Sequence, residues 1–491
     1  MTGRRAAGWI ALASGAIAAT GHAPFNLWFL ALIGFGGLTW AVVTARRPAL
    51  AAWFGGIGYF AVSLHWIVQP FLVDVARHGW MAPFALVFMA MGLALFWAVA
   101  GWLSGRTSVP ALGWALGMSM AEVARGYVLT GFPWALPAYI WTETPIRMIA
   151  AMIGPFGLTA LTLSIVALPV MAPRRWMAAA GAAAFLGAMF FWGQQAQHGQ
   201  LGDDLGVVRL VQPNAPQHQK WDPQFAHTFV DRQIGFTAEP MDGVDLVIWP
   251  ETAIPYRLDL AAPVLDRIAT AADGVPVVLG VNRSENGRHY NAMITLPSSG
   301  VPYDVYDKMH LVPFGEYIPF GQFAQLAGLR SFAARDGFGF SPGASVRTVE
   351  TPIGRALPLI CYEAIFPQHI RRAAERPDYL MQITNDAWFG TFSGPYQHLQ
   401  QARFRAVEQG LPMVRVANTG VSAVIDAFGR VVHSLPMQEA GFADVTLPGA
   451  RQAPIYARTG DFPITVILLF TLAALIWTKR RNAIAKGHTS S

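Results

Sequence analysis

Apolar runs of about twenty residues, broken by short polar stretches, fill the first two hundred positions of the chain. They lie at roughly 6–22, 25–44, 50–69, 82–103, 109–129, 146–171 and 176–195, each near the ~20 residues that carry a helix across a bilayer. One more apolar run, Phe462 to Trp477, stands near the end. The pattern predicts a polytopic α-helical membrane bundle of about eight spans, seven before a more polar middle and one after it.

The middle has a different rhythm, with short apolar strands alternating with helical stretches. Gly206–Val211, Asp245–Trp249, Pro276–Val281, Tyr379–Thr384, Met413–Val416, Ser422–Asp426 and Val431–Ser434 read as strands. His289–Pro297 with Tyr303–Tyr306 reads as a hairpin, and 222–239, 262–272 and 397–409 read as helices. Such alternation argues for an α/β or mixed α+β layered domain. The expected division is a membrane bundle over 1–200, a soluble domain over 203–455 and a last span over 461–481.

Composition agrees: 53% of the 491 residues are hydrophobic and 13% charged, against about 25% charged in soluble domains. The net charge of +6 is spread over short clusters, which speaks against nucleic acid and for membrane orientation. Arg4-Arg5, Arg46-Arg47, Arg106 and Arg174-Arg175 occupy every second break, and Lys479-Arg480-Arg481 follow the last run. The positive-inside rule then puts both termini in the cytoplasm and the middle domain outside. The first run could instead be a cleaved signal peptide, but Thr20-Gly21-His22-Ala23 is a poor cleavage site, so retention is expected. Glu122 and Arg125, three apart in the fifth run, are expected to pair within their helix. Aromatic loops at 131–134 and 320–332 are expected at the membrane interface.

The chain holds one cysteine, Cys361, at the end of the apolar run Leu357–Ile360. Pro358 is a blemish in that run, since proline cannot donate to a sheet ladder. Residues 364–375 read as a helix, which would place a nucleophile on a strand-to-helix turn beside backbone N–H groups. No P-loop and no His-Glu-x-x-His occurs. Gly339-Phe340-Ser341-Pro342-Gly343 has the spacing of a serine-hydrolase elbow. Proline after the serine removes the N–H that such an elbow needs, so this is expected to be a glycine-rich surface loop.

A thiol nucleophile needs a base and an electrophilic partner. Glu251 follows the strand ending in Trp249-Pro250, and Lys308 opens the stretch Lys308-Met309-His310-Leu311-Val312-Pro313-Phe314-Gly315-Glu316. With Cys361-Tyr362-Glu363, Asn385-Asp386-Ala387-Trp388-Phe389-Gly390 and Gln397-His398, these blocks resemble the carbon–nitrogen hydrolase (nitrilase) superfamily. Set between the apolar runs, the whole chain looks like the membrane-embedded apolipoprotein N-acyltransferase family.

That resemblance implies an αββα sandwich, nitrilase-like, between the spans. It implies Glu251 as general base, Cys361 as nucleophile, and Lys308 with the Tyr362 N–H as oxyanion donors. Glu316 and Glu363 would support them, and Trp221, Asn291 and Trp388 would lie near the substrate pocket. The acyl donor would be a phospholipid, giving its sn-1 chain through a cysteine thioester to the α-amino group of a diacylglyceryl apolipoprotein. Neither cofactor nor metal is implied, and a monomer in the bacterial inner membrane, with a periplasmic catalytic domain, is expected. Two rivals stand beside it. A membrane-tethered nitrilase or amidase would let water take the acyl group. A transporter would need charged or broken helices at mid-membrane, which only the Glu122–Arg125 region offers.

Overall fold

Every apolar run is helical in the computed structural model, which describes residues 2–319 and 339–488. The helices are Thr2–Ala19, Trp28–Thr44, Pro48–Ser63, Ala82–Ser104, Pro110–Tyr127, Ala150–Met171, Arg175–Ala196 and Phe462–His488. Among the described residues, four stretches are long and apolar enough to cross a membrane: Val75–Ser104, Pro145–Met171, Arg175–Ala196 and Phe462–Ala485. A fifth qualifies only as a pair, Pro48–Ser63 with His65–Leu72, bent by 65°. Ala7–Ala19 and Trp28–Thr44 are apolar but shorter, because Gly21 and Pro24 stop the first. Pro110–Tyr127 carries its charged pair inside.

That pair forms. Arg125 and Glu122 are buried and salt-bridged one turn apart. Trp97 Nε1 donates to Glu122 Oε1 at 2.7 Å, and Arg125 Nη1 donates to the Trp134 carbonyl at 2.9 Å. A buried guanidinium needs acceptors on all its N–H groups; Glu122 takes Nε and Nη2, and the Phe132 and Trp134 carbonyls take Nη1. Trp134 of that loop is buried, its ring 4.5 Å from that of Trp66, so this side chain packs inside the bundle. The companion stretch 320–332 lies outside the described residues.

The chain divides into Met1–Gly199 with Ala453–Ser491, and Gln200–Gln452. The second unit holds two six-stranded sheets. One runs β12-β1-β2-β3-β4-β5, the other β11-β10-β9-β8-β7-β6. The first comprises β1 (Gly206–Gln212), β2 (Leu246–Ile248), β3 (Val277–Glu285), β4 (Arg288–Leu296), β5 (Asp304–Asp307) and β12 (Gly441–Leu447). The second comprises β6 (Val349–Thr351), β7 (Gly354–Ile360), β8 (Tyr379–Thr384), β9 (Met413–Ala417), β10 (Ser422–Ile425) and β11 (Val431–Leu435). β1, β2 and β3 are parallel, as are β7, β8 and β9.

Side chains alternate across each strand, and both faces of each sheet are apolar. Val208, Leu210 and Ile248 of one sheet meet Ile360, Met381, Ile383 and Val416 of the other in one core. Val247 and Leu279 face outward onto the helices Ala226–Ala238 and Ala262–Ala271. Leu357, Leu380 and Met413 face the helix Gly394–Gln409. The layers are helix, sheet, sheet, helix. Pro358 fits because its position faces the β6 side of β7, and β6 pairs only with Gly354–Ala356, so no ladder bond is lost there.

Two expectations fail here. Residues 364–375 do not form one helix: Cys361–Ile365 is a 3-10 turn and Pro367–Ile370 a single α turn. Pro367 lacks the N–H that would continue the first turn into the second. Strand β12, unread in the sequence, closes the first sheet antiparallel to β1.

Candidate active site

Parallel strands all end on one side, so their carboxyl ends bring together residues far apart in the chain. Glu251 follows β2, Lys308 follows β5, Cys361 follows β7 and Asn385 follows β8. The three expected catalytic side chains and Glu316 are all buried.

The Lys308 ammonium is the hub. It donates to Glu316 Oε1 at 2.9 Å and to Glu251 Oε1 at 3.3 Å. Asn291 Nδ2, from β4, bridges the same two carboxylates at 2.7 Å to Glu251 and 3.0 Å to Glu316. Backbone N–H groups satisfy the other oxygens, Asn385 N on Glu251 Oε2 at 2.9 Å and Val312 N on Glu316 Oε2 at 2.8 Å. Burial alone would lower the Lys308 pKa, but Glu316 and Glu251 overcome it and raise it above its ordinary value. The lysine is a fixed cation.

Glu363 ties the cysteine turn to the lysine segment. Its Oε1 accepts from Met309 N at 2.7 Å and His310 N at 3.1 Å, and its Oε2 from Ile360 N at 2.8 Å. Burial pushes its carboxyl up to about 7, against the pull of those amides and of Lys308. The Cys361 thiol is pushed up from its ordinary value by burial and by Glu251, and Lys308 only partly offsets this. The resting sulfur is therefore a thiol, and a base must take its proton during reaction.

Three non-glycine residues at the corners of this site have left-handed backbone: Thr252 (φ +46°), Phe314 (φ +63°) and Cys361 (φ +51°). Each such residue costs roughly 1–3 kcal/mol and persists where its surroundings over-determine it. For Cys361 the strain lifts the thiol out of the strand direction.

Asn291 uses its Nδ2 on the two carboxylates, while its buried Oδ1 has no hydrogen-bond partner among the described residues. Trp221 is half-buried at a small cavity lined also by Pro213, Phe229, Pro250 and Ile254. Trp388 is half-buried on the turn after β8. Residues 339–343 form a loop at the surface, with Pro342 exposed and Gly339 buried, and its backbone is tied to the site. Phe340 N donates to Glu316 O at 2.8 Å and Gly343 N to Lys308 O at 2.9 Å, bracing both from below. Gly339 has φ +87°, and a Cβ there would stand 2.5 Å from Glu316 O, so glycine is required for that approach.

Two further residues escaped the sequence reading. Lys220 is buried, with its ammonium 3.1 Å from the Glu251 carbonyl and 3.0 Å from Thr252 Oγ1. Burial lowers its pKa to about 8, against Glu251. Its place beside Trp221 was the only available signal. Gly280 of β3 lies beneath the Glu251 turn: its N–H donates to Pro250 O at 3.1 Å and its carbonyl accepts from Ala253 N at 2.8 Å. A lone glycine inside a strand signals close backbone approach, and here that signal was legible.

The chain can now be compared with known proteins. A Carbon-nitrogen hydrolase family model matches residues 208–455, and an Apolipoprotein N-acyltransferase N-terminal domain model matches residues 14–168. An apolipoprotein N-acyltransferase of Rhodopseudomonas palustris is 37% identical over 96% of this chain and 96% of its own length. One from Brucella melitensis is 36% identical over 96% of each chain. Among solved structures, a nitrilase-superfamily amidase from Nesterenkonia AN1 is 18% identical, covering 51% of this chain and 94% of its own at a TM-score of 0.37.

Two outcomes follow from this geometry. In Gly280→Ala the new methyl would stand 2.4 Å from Thr252 N and 2.6 Å from Glu251 Cα. Overpacking of that kind costs about 1–3 kcal/mol, so the variant should unfold at a lower temperature; an unchanged midpoint would show that the turn gives way freely. The raised thiol leaves little thiolate at any given pH. Labelling of Cys361, the single cysteine, by iodoacetamide should therefore still accelerate near pH 10, where an ordinary thiol of pKa ~8.5 has levelled off. A plateau at or below about pH 9 would mean that the thiol is not raised above its ordinary value.

Proposed function

The chain belongs to the apolipoprotein N-acyltransferase family, and from that premise we propose that Cys361, Glu251 and Lys308 carry a ping-pong acyl transfer between two lipid-anchored substrates. The protein is an acyltransferase of lipoprotein biosynthesis built on a nitrilase-like domain. The observation that carries the site assignment is the meeting of one strained, buried cysteine with a buried Glu–Lys–Glu cluster at the strand ends.

In the first half-reaction Glu251 takes the Sγ proton and the sulfur attacks the sn-1 ester carbonyl of a phospholipid. The oxyanion forms against the Lys308 ammonium and the Tyr362 N–H. The ester C–O bond breaks, Glu251 returns the proton to the leaving glycerol oxygen, and a lysophospholipid departs. In the second, the α-amino group of a diacylglyceryl-cysteine attacks the thioester carbonyl. Glu251 accepts the amine proton, the C–S bond breaks, Glu251 returns that proton to Sγ, and the amide remains. Glu316 holds Lys308 in place, and Glu363 fixes the cysteine turn against the lysine segment. Trp221 and Trp388 border the acyl or acceptor site.

The remaining architecture is part of the same proposal. Eight helices cross the bacterial inner membrane, both termini are cytoplasmic, and the catalytic domain lies on the periplasmic side, where the lipoprotein amine is displayed. The protein works as a monomer. The Arg clusters support this orientation.

Labelled phospholipid should leave an acyl group on Cys361 that a diacylated peptide removes, and Cys361→Ala should accept none. Lys308 serves both tetrahedral intermediates in this scheme, so Lys308→Met should slow loading and chase alike. Loss of one preformed oxyanion donor costs on the order of 10²–10³ in rate, roughly 3–4 kcal/mol. Lys308→Arg should not rescue, since a planar fork cannot replace a compact ammonium. Normal loading with a failed chase would restrict Lys308 to binding the second substrate. For topology, a reporter fused after residue 200 should read extracytoplasmic and one fused after residue 481 cytoplasmic. A cytoplasmic signal at 200 would sink the orientation.

A further inference from the structure

Between the second sheet and the helix Gly394–Gln409 lies a buried polar chain that the mechanism above does not use. Gln382 on β8, Arg415 on β9, Asp386 after β8 and His398 on the helix are each 0% exposed. Their strand neighbours Leu380 and Met413 belong to the apolar packing on this face. Burying four polar side chains there is costly unless each finds partners.

The partners define a direction. Arg415 Nη1 donates to Gln382 Oε1 at 2.6 Å, which fixes the amide so that its NH₂ points the other way. That NH₂ donates to the Cys361 carbonyl at 3.2 Å and lies 3.0 Å from His398 Nε2. His398 Nε2 is itself 3.1 Å from the Cys361 carbonyl, and its Nδ1 is 2.9 Å from Asp386 Oδ1. Burial pushes the Asp386 carboxyl up, but Arg415 and His398 overcome it and hold it down at about 2. Asp386 is thus an anion that keeps a proton on Nδ1, and Thr384 Oγ1 donates to it at 3.0 Å. The whole chain of contacts terminates on one atom, the carbonyl oxygen of the cysteine.

A trans peptide is planar, with its C=O and N–H pointing in opposite directions. Whatever grips the Cys361 carbonyl therefore sets the direction of the Tyr362 N–H. The grip matters at this peptide because Cys361 has left the strand conformation for φ +51°. A hydrogen bond on the carbonyl also polarises the peptide and strengthens the N–H as a donor.

We propose that Gln382, held by Arg415 and His398, is a positioning residue that clamps the Cys361–Tyr362 peptide and so aims the Tyr362 N–H at the oxyanion of acyl transfer. This rests on the roles proposed above for Cys361 and Tyr362. The clamp acts on the oxyanion and not on the nucleophile, and that distinction is measurable. Acylation by an ester develops an oxyanion. Alkylation by iodoacetamide displaces iodide from a saturated carbon and develops none.

In Gln382→Met, thioester formation from labelled phospholipid should fall on the order of 10- to 10²-fold, less than outright loss of a donor, while iodoacetamide labelling of Cys361 stays within about 2-fold of wild type. Gln382→Glu keeps the length and the Arg415 contact but replaces the donor with an acceptor. It should show the same split, so the test survives if either variant fails to fold. Acylation at the wild-type rate overturns the proposal. So does an equal loss of acylation and alkylation, which would make the residue a general support of the thiol. Failure of the catalytic reading itself would appear earlier and separately, as wild-type protein that forms no thioester.

Discussion

A lysine ammonium shut away from water must be paired, and most of the catalytic domain's local architecture answers that requirement. Lys308 is 1% exposed. Its two carboxylate partners come from different places, Glu251 beyond β2 and Glu316 from the loop after β5. Asn291 on β4 ties the carboxylates to each other, and backbone N–H groups from residues 312 and 385 complete them. Removing one partner of such a buried pair costs roughly 3–5 kcal/mol, because the survivor is left charged and dry. The cluster thus fixes the relative positions of three strand ends, those of β2, β5 and β8, and ties them to β4.

The charge balance of that cluster sets the state of the sulfur. Two carboxylates surround one ammonium, and Asp386 adds to the negative field felt by the thiol. That field disfavours a resting thiolate–ammonium pair. In the proposed scheme Glu251 is the base, and it lies within 3.3 Å of the Lys308 ammonium, so charge leaving the carboxylate for the developing oxyanion would stay beside its counter-ion.

Glu251 and Cys361 stood out in the sequence as polar residues at the ends of apolar strands, whereas Lys308 stood out only through its sequence block and the family resemblance. The helices were legible as apolar runs. What escaped was whatever depends on partners distant in the chain. The inward turn of Trp134 follows from the acceptors that Arg125 needs, and Gly339–Gly343 packs under Lys308 through backbone bonds with no side-chain signature. The helix expected over 364–375 is interrupted at Pro367, whose missing N–H outweighs the apolar periodicity around it. Helix Gly394–Gln409 buries Gln397, His398, Gln400, Arg405 and Glu408, so no amphipathic stripe announces which face carries function. The left-handed backbone at Thr252, Phe314 and Cys361 is likewise invisible, since none is a glycine or asparagine.

The Glu–Lys–Cys site alone would serve a hydrolase as well as a transferase, because both pass through the same thioester. They part at the second nucleophile. Water is everywhere but weakly nucleophilic, whereas an α-amino group with a pKa of about 7.7–8.0 is partly neutral near pH 7 and attacks a thioester readily. An amine anchored in the bilayer through its own diacylglyceryl group is confined to the layer that holds the enzyme, which raises its effective concentration without any added contact. On that account the apolar helices are part of the selectivity. They hold the enzyme where the competing nucleophile is concentrated, and the strand-end cluster needs no device of its own to tell an amine from water.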